Sequence, residues 1–231
     1  MKTYIPRIYI GLPGLDVDDR ITGDDRDNII YTYDGDDNVW GGAGDDVVYG
    51  GNGIDNLFGQ DGDDKLFGFF GNDNLAGGNG NDRLFGGQGH DRLYGGNGND
   101  RLFDGLGNDN VFGGDDNDYV RVGGGVDSFD GGSGKDYISY YDSSNGVTLD
   151  LAANTATGSW ANNDTFSGIE SLSTGLGNDR ITGSSDNNRL RGYEGDDTIY
   201  GASGRDQLYG GAGTDLLIGG SGRDQLYGGA L

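Results

Sequence analysis

The feature that most constrains this chain is a period of nine. From Gly41 to Phe112 the sequence divides into GGAGDDVVY, GGNGIDNLF, GQDGDDKLF, GFFGNDNLA, GGNGNDRLF, GGQGHDRLY, GGNGNDRLF and DGLGNDNVF. The register extends in both directions, so that fourteen nonapeptides tile residues 14–139 and six more tile 174–227. Across these twenty units the eighth place is always Val, Ile, Leu or Phe, and the sixth is Asp in eighteen and Asn in two, Asn28 and Asn188. Gly at places one, two and four permits the positive φ that a tight turn requires. The last three places favour a short strand whose middle side chain points to one face and whose flanking side chains point to the other. One unit cannot bury its single aliphatic residue, whereas a stack of units can. GGNGNDRLF at 77–85 recurs unchanged at 95–103, and SGRDQLYGGA at 203–212 recurs at 221–230, in both cases eighteen residues on. The period therefore predicts an all-β solenoid whose coil holds two strands and two turns.

Stacking every second unit places the aspartates in two columns. One holds Asp37, Asp55, Asp73, Asp91, Asp109 and Asp127, and the other Asp46, Asp64, Asp82, Asp100, Asp118 and Asp136. Neighbouring carboxylates in a column repel unless a cation lies between them, and few basic residues occupy the turns. Tight glycine turns also turn backbone carbonyls inward. Carboxylates and carbonyls, with no thiol and one imidazole in the whole chain, are the donor set of a hard cation. A flexible oxygen-rich site favours Ca²⁺ over Mg²⁺.

The pattern G-G-x-G-x-D-x-U-x, in register over residues 14–231, resembles the RTX (repeats-in-toxin) calcium-binding nonapeptide. The resemblance implies a right-handed parallel β-roll that binds several Ca²⁺ ions, about a dozen if each site takes one. It also implies the ligands: carbonyls of places two and four with the Asp of one turn, facing carbonyls of places one and three with the Asp eighteen residues later. Carried over, one site is Gln60, Gly62 and Asp64 with Gly77, Asn79 and Asp82, and another is Gly51, Gly53 and Asp55 with Gly68, Phe70 and Asp73. The same places give Gly42 and Gly44 with Asp46, then Gly59, Asp61 and Gly71, then Gly78 and Gly80. They continue with Gly86, Gly87, Gln88 and Gly89 at Asp91, Gly95, Gly96, Asn97 and Gly98 at Asp100, and Gly105 and Gly107 at Asp109. Asp118, Asp127 and Asp136 complete the first block, which Asp37 begins. In the second block the implied ligands are Asp179, Asp197, Gly204, Asp206, Gly210, Ala212, Asp215, Gly219, Ser221 and Asp224.

Some units depart from the pattern. Val17, Arg26 and Asp186 replace the fourth-place Gly, and Asn28 and Asn188 replace the acid, so their units are expected to bind weakly or not at all. Asp116 replaces the fourth-place Gly beside Asp118, so that unit too departs from the pattern.

Charge bounds the function. A net charge of −24 repels a compact chain and disfavours contacts to nucleic-acid phosphates. A dozen divalent ions would cancel it, so folding should be coupled to metal. With no cysteine there is no disulfide or thiolate site, and no apolar run reaches the length of a membrane span. The N-terminus lacks an apolar core and cleavage site of the secretory kind. RTX proteins typically leave the cell through type I secretion, which reads a C-terminal signal. This sequence ends inside a repeat, and the expectation is an excised module or a chain whose secretion signal is missing.

The chain is expected to comprise an N-terminal cap (1–13), a first roll block (14–139), a hairpin-like spacer (140–173) and a second block (174–231) of six units and a partial one. Tyr4, Ile5, Ile8, Tyr9 and Ile10 are the cap candidates. In the spacer, Val147, Leu149 and Leu151 alternate as a strand that Thr155 to Trp160 could pair with, and 164–166 and 169–172 look like two more. On the outer faces Asn38, Asn56, Asn74 and Asn110 align, broken by Arg92, and Lys65, Arg83 and Arg101 run beside Phe67, Phe85 and Phe103. These read as stabilising ladders or as a strip for a polysaccharide or cell-surface partner. His90 reads as a solvated turn residue. No catalytic triad, zinc site or phosphate loop is present. The expected function is calcium binding by a secreted, non-enzymatic module. An adhesin, or the C-terminal roll of a secreted protease, lipase or alginate epimerase, is the alternative.

Overall fold

The computed structural model describes residues 7–10 and 17–230, and among these there is no helix. Successive nonapeptides alternate between two sheets of 12 and 13 strands. Arg83–Gln88 lies parallel between Lys65–Phe70 and Arg101–Leu106, with Lys65, Arg83 and Arg101 in register. Arg92–Asn97 lies in the other sheet between Asn74–Asn79 and Asn110–Asp115. Partners throughout the regular part are 18 residues apart, so the nine-residue period is half a coil. A third, two-stranded ladder pairs Ser203–Gly204 with Ser221–Gly222.

The eighth-place residues form one buried column between the sheets. Every one from Ile30 to Ile138 and from Ile181 to Leu208 is buried. Each is alone on its strand, and its packing partners come from the opposite sheet and from the coils above and below. The column opens at its ends: Ile21 and Leu217 are partly buried, and Leu226 is 46% exposed.

Stacking also dictates the glycines. At Gly89 φ is +138°, and a Cβ there would stand 1.5 Å from the carbonyl oxygen of Gly71 in the preceding coil. The second place tolerates substitution at a cost in strain, since Gln60 and Phe69 hold φ of 85° and 75°.

The outer faces carry ladders of like residues. Tyr31, Tyr49, Phe67, Phe85 and Phe103 stack at centroid distances of 4.7, 5.0, 4.7 and 4.5 Å, with planes 4–9° apart. Each inner ring has both faces covered by its neighbours, which leaves edges to solvent. On the other sheet Asn56 and Asn74 donate through Nδ2 to Oδ1 of Asn38 and Asn56, at 3.3 and 3.4 Å.

Both sheets run through 140–173. Asp164–Ser167 joins Ser128–Ser133 in parallel, Thr155–Gly158 pairs antiparallel with it, Val147–Asp150 turns back again, and Arg180–Thr182 follows in parallel. In the other sheet Ser171–Ser173 bridges Tyr137–Ser139 and Arg189–Glu194. One continuous roll results, three strands replacing one in a single sheet. At the N-terminal end Arg7–Ile10 adds a strand beside Asn28–Tyr31. The rest of the expected cap, including Tyr4 and Ile5, lies outside the described residues.

Leu84→Ala should lower stability by about 2–5 kcal/mol, because its cavity cannot collapse inside a column braced on both sides. Leu226→Ala, at the open end, should cost less than about 1 kcal/mol. Chemical denaturation of both variants in excess calcium measures the difference.

Candidate metal centre

The two oxygens of each sixth-place aspartate have different surroundings. Oδ1 accepts the backbone N–H of the sixth-place residue one coil earlier. Asp64 donates in this way to Asp82 at 2.8 Å, Asp73 to Asp91 at 2.8 Å and Asp82 to Asp100 at 2.7 Å. The chain of bonds is unbroken in both columns from Asp19 and Asn28 to Asp136. It resumes from Val147 to Asp179 and from Asn188 to Asp206, and ends at Asp215 and Asp224.

Oδ2 has no such partner. It is buried and without a hydrogen bond at Asp37, Asp46, Asp55, Asp64, Asp73, Asp82, Asp91, Asp100, Asp109, Asp118, Asp127, Asp136, Asp179, Asp197, Asp206 and Asp215. These sixteen leave out only the terminal sixth-place acids, Asp19 and Asp224. A buried carboxylate oxygen with nothing to pair with is costly, and a regular column of them calls for a cation.

Backbone oxygens face the same space. A Cβ on Gly59 would stand 2.2 Å from Asp64 Oδ2 and 2.8 Å from the carbonyl oxygen of Gly77, so carboxylate and next-coil carbonyl converge where only glycine leaves room. The carbonyls of Gln60 and Gly62 aim at Gly78 and Gly80, where a Cβ would come within 2.1 and 2.0 Å. Third-place carbonyls are already engaged: those of Asp61, Phe70, Asn79, Gln88, Asn97 and Ala212 accept N–H from the preceding coil at 2.8–2.9 Å. Each retains its second lone pair. All the donors are oxygens, and the set fits a hard divalent cation.

The two asparagine units are a built-in comparison. Asn28 accepts the Asp24 N–H at 2.9 Å through Oδ1 and donates through Nδ2 to the Arg26 carbonyl at 2.7 Å. Asn188 accepts the Ser184 N–H at 2.7 Å and donates to the Glu170 carbonyl at 3.2 Å. Where the acid is lost, an amide N–H stands in the place of a cation, within the turn at Asn28 and toward the preceding coil at Asn188.

Burial, reinforced at several positions by the next carboxylate in the column, raises these acids. Asp46, Asp82, Asp91, Asp127, Asp179 and Asp197 are pushed up to about 6. Asp55, Asp64, Asp73, Asp109 and Asp118 are pushed up to about 7, and Asp100 to about 8.

Three acids outside the sixth-place register join the columns. Asp164 and Glu170 accept the N–H groups of Asp127 and Asp136, both at 2.9 Å, and so carry the ladders into the spacer. Asp164-Thr165-Phe166 and Glu170-Ser171-Leu172 retain the acid-x-hydrophobic end of the repeat, the second with its fourth-place glycine as well, Gly168 at φ +63°, and this is the signal by which they could be found. Asp104, at a first place where most units have Gly, is fully buried near Asp109 and Asp127. An outer ladder at the fifth place runs in the opposite sense, later N–H to earlier side chain, as from Asn99 to Asn81 and from Asn117 to Asn99. His90 belongs to it, exposed but accepting the Asn108 N–H at Nδ1, 2.7 Å away.

The sequence profile of the RTX calcium-binding nonapeptide repeat (4 copies) matches residues 13–48, 49–84, 67–102, 77–111, 103–138, 173–208 and 209–230. No curated protein matches the chain.

Carboxyls raised in the fold mean that the metal-free native state binds more protons than the unfolded chain between about pH 4 and pH 7. Metal-free stability should therefore fall as pH rises through that window. A chelated sample should keep β structure near pH 4 and lose it toward pH 8, as circular dichroism would register. Saturating calcium should flatten the profile.

Proposed function

Because the chain belongs to the RTX calcium-binding nonapeptide repeat family, calcium binding in a β-roll is its biochemical property, and we propose that the ion is what folds it. The observation that carries this reading is the contrast between sixteen buried, unpartnered Oδ2 atoms and the two asparagines whose amides bond within their own turns, Asn28 to Arg26 and Asn188 to Ser184. The sixth-place aspartates would hold the ions through Oδ2, bridging adjacent coils. The carbonyls of places two and four on one side, and of places one and three on the other, would supply the remaining oxygens. Bound Ca²⁺ supplies positive charge between facing turns. The residues do the rest: Oδ1 fixes the carboxylate on the neighbouring backbone, and the aliphatic column packs once the turns are held.

The same reading accounts for place and role. We assign 14–139 and 174–231 as two repeat blocks of one roll joined by 140–173. A cytosol poor in calcium would leave a chain of charge −24 unfolded. An exterior with calcium near the 10⁻⁴–10⁻³ M dissociation constants of extracellular modules would fold it. The module is thus a secreted or cell-surface folding element that performs no catalysis of its own.

Calcium titration followed by far-ultraviolet circular dichroism, with magnesium as control, tests the proposal. At pH 8 a cooperative gain of β signal with calcium alone is expected, and a full signal in chelator at that pH would overturn it. Asp82→Ala, in a regular unit, should raise the calcium midpoint several-fold, whereas Asp186→Ala, in a unit closed by Asn188, should leave it nearly unchanged.

A further inference from the structure

One site in the stack is built differently. In most units the first place is Gly, and a Cβ would crowd the unit's own carboxylate, as at Gly95, 2.3 Å from Asp100 Oδ2, and Gly113, 2.4 Å from Asp118 Oδ2. Unit 104–112 carries Asp104 there. Its side chain is fully buried. Oδ1 accepts the N–H groups of Gly105 and Gly123, each at 2.7 Å, and this fixes the carboxylate across two coils. Oδ2 has no partner. One carboxylate oxygen from each of Asp104, Asp109 and Asp127 lies within 4.8 Å of the other two, and Oδ2 of Asp109 and of Asp127 is likewise unpartnered.

Among the described residues no Lys or Arg forms an ion pair with these three carboxylates. Arg121, which lines the same groove, is turned to Asp142, with Nη2 2.7 Å from its Oδ1. Three buried carboxylates around one space are untenable without a cation or protons. Burial and the Asp127 carboxylate push the Asp104 carboxyl well above its ordinary range, in keeping with that strain.

Taking the aspartate columns as calcium sites, we propose that Asp104, Asp109 and Asp127 form a three-carboxylate cation site, the one that fills first. A regular site brings two carboxylates to its ion and is balanced by Ca²⁺. This site brings three, so a divalent ion leaves one negative charge over and a trivalent lanthanide leaves none. Charge count is a main determinant of affinity in oxygen sites. The backbone bonds to Asp104 Oδ1 hold the third ligand in place before an ion arrives, which lowers the ordering cost of binding.

Trp160 offers a readout, because it lines the groove with Asp104 and a Cβ on Gly124 would stand 3.6 Å from its ring. Trp40→Phe leaves Trp160 as the sole tryptophan of the two in the chain. Terbium would be titrated into that full-length protein, with tryptophan-sensitised emission recorded, and the same done with Asp104→Gly and Asp104→Asn added. The glycine restores the repeat residue and the asparagine preserves shape and the bonds to Gly105 and Gly123. The first terbium equivalent should light Trp160 in the parent, and both substitutions should weaken that step by about tenfold or more. Both should keep the calcium-dependent β signal, since the other sites are intact. An unchanged first step in both variants, with the calcium response present, overturns the three-carboxylate site and leaves the calcium reading standing. A parent with neither terbium emission nor a calcium response would bring down both.

Discussion

A buried carboxylate with only one oxygen satisfied is the constraint on which everything else in this protein depends. The satisfied oxygen locks each coil to its neighbour through a backbone N–H, and the other is left facing the next carboxylate. Adjacent carboxylates at the strand spacing of roughly 5 Å repel by about 3 kcal/mol at an effective dielectric of 20. Burying one aliphatic side chain returns about 1.5–3 kcal/mol. All but two of the nonapeptides contain one of each, so the ionised, metal-free roll gains little from its core. Charge neutralisation, by metal or by protons, decides whether the stack exists.

Much of this was legible in the sequence because the period is strict. The eighth-place column, the alternation of sheets and the two files of aspartates follow from counting, and the family likeness rests on the same residues. What could not be read was how each oxygen is used. Nothing in the string separates Oδ1 of Asp82 from its Oδ2, and the difference arises only when two coils are in register. His90 is exposed, as its place in the turn suggests, and what the string did not show is that its ring nitrogen takes the place of an Asp or Asn oxygen in the outer ladder. The spacer was read as a set of strands, and the strands are there. That Asp164 and Glu170 would carry the ladders into the spacer was hidden, because Asp164 has no glycine turn in front of it and Glu170 has only Gly168.

The ladders on the surface follow the same logic at lower stakes. Because partners are 18 residues apart and parallel, like residues meet like. Rings and amides profit from this, stacking face to face or bonding end to end. Lys65, Arg83 and Arg101 do not, and they are exposed, where solvent screens them. The repeat thus sorts residue types by whether identical neighbours attract: those that do can be repeated anywhere, and those that repel must face either water or an ion.

The spacer has a consequence for cooperativity. A stack in which each coil touches only its neighbours behaves as a one-dimensional Ising chain, with an intrinsic term per coil and a coupling term per interface. An insertion that interrupted the interface would set the coupling at that point to zero and divide the chain into two independent transitions. Here both sheets pass through 140–173, and Asp164 and Glu170 carry the two acid ladders into it. The coupling survives the insertion, and the correlation length of the folded state can extend from one block into the other.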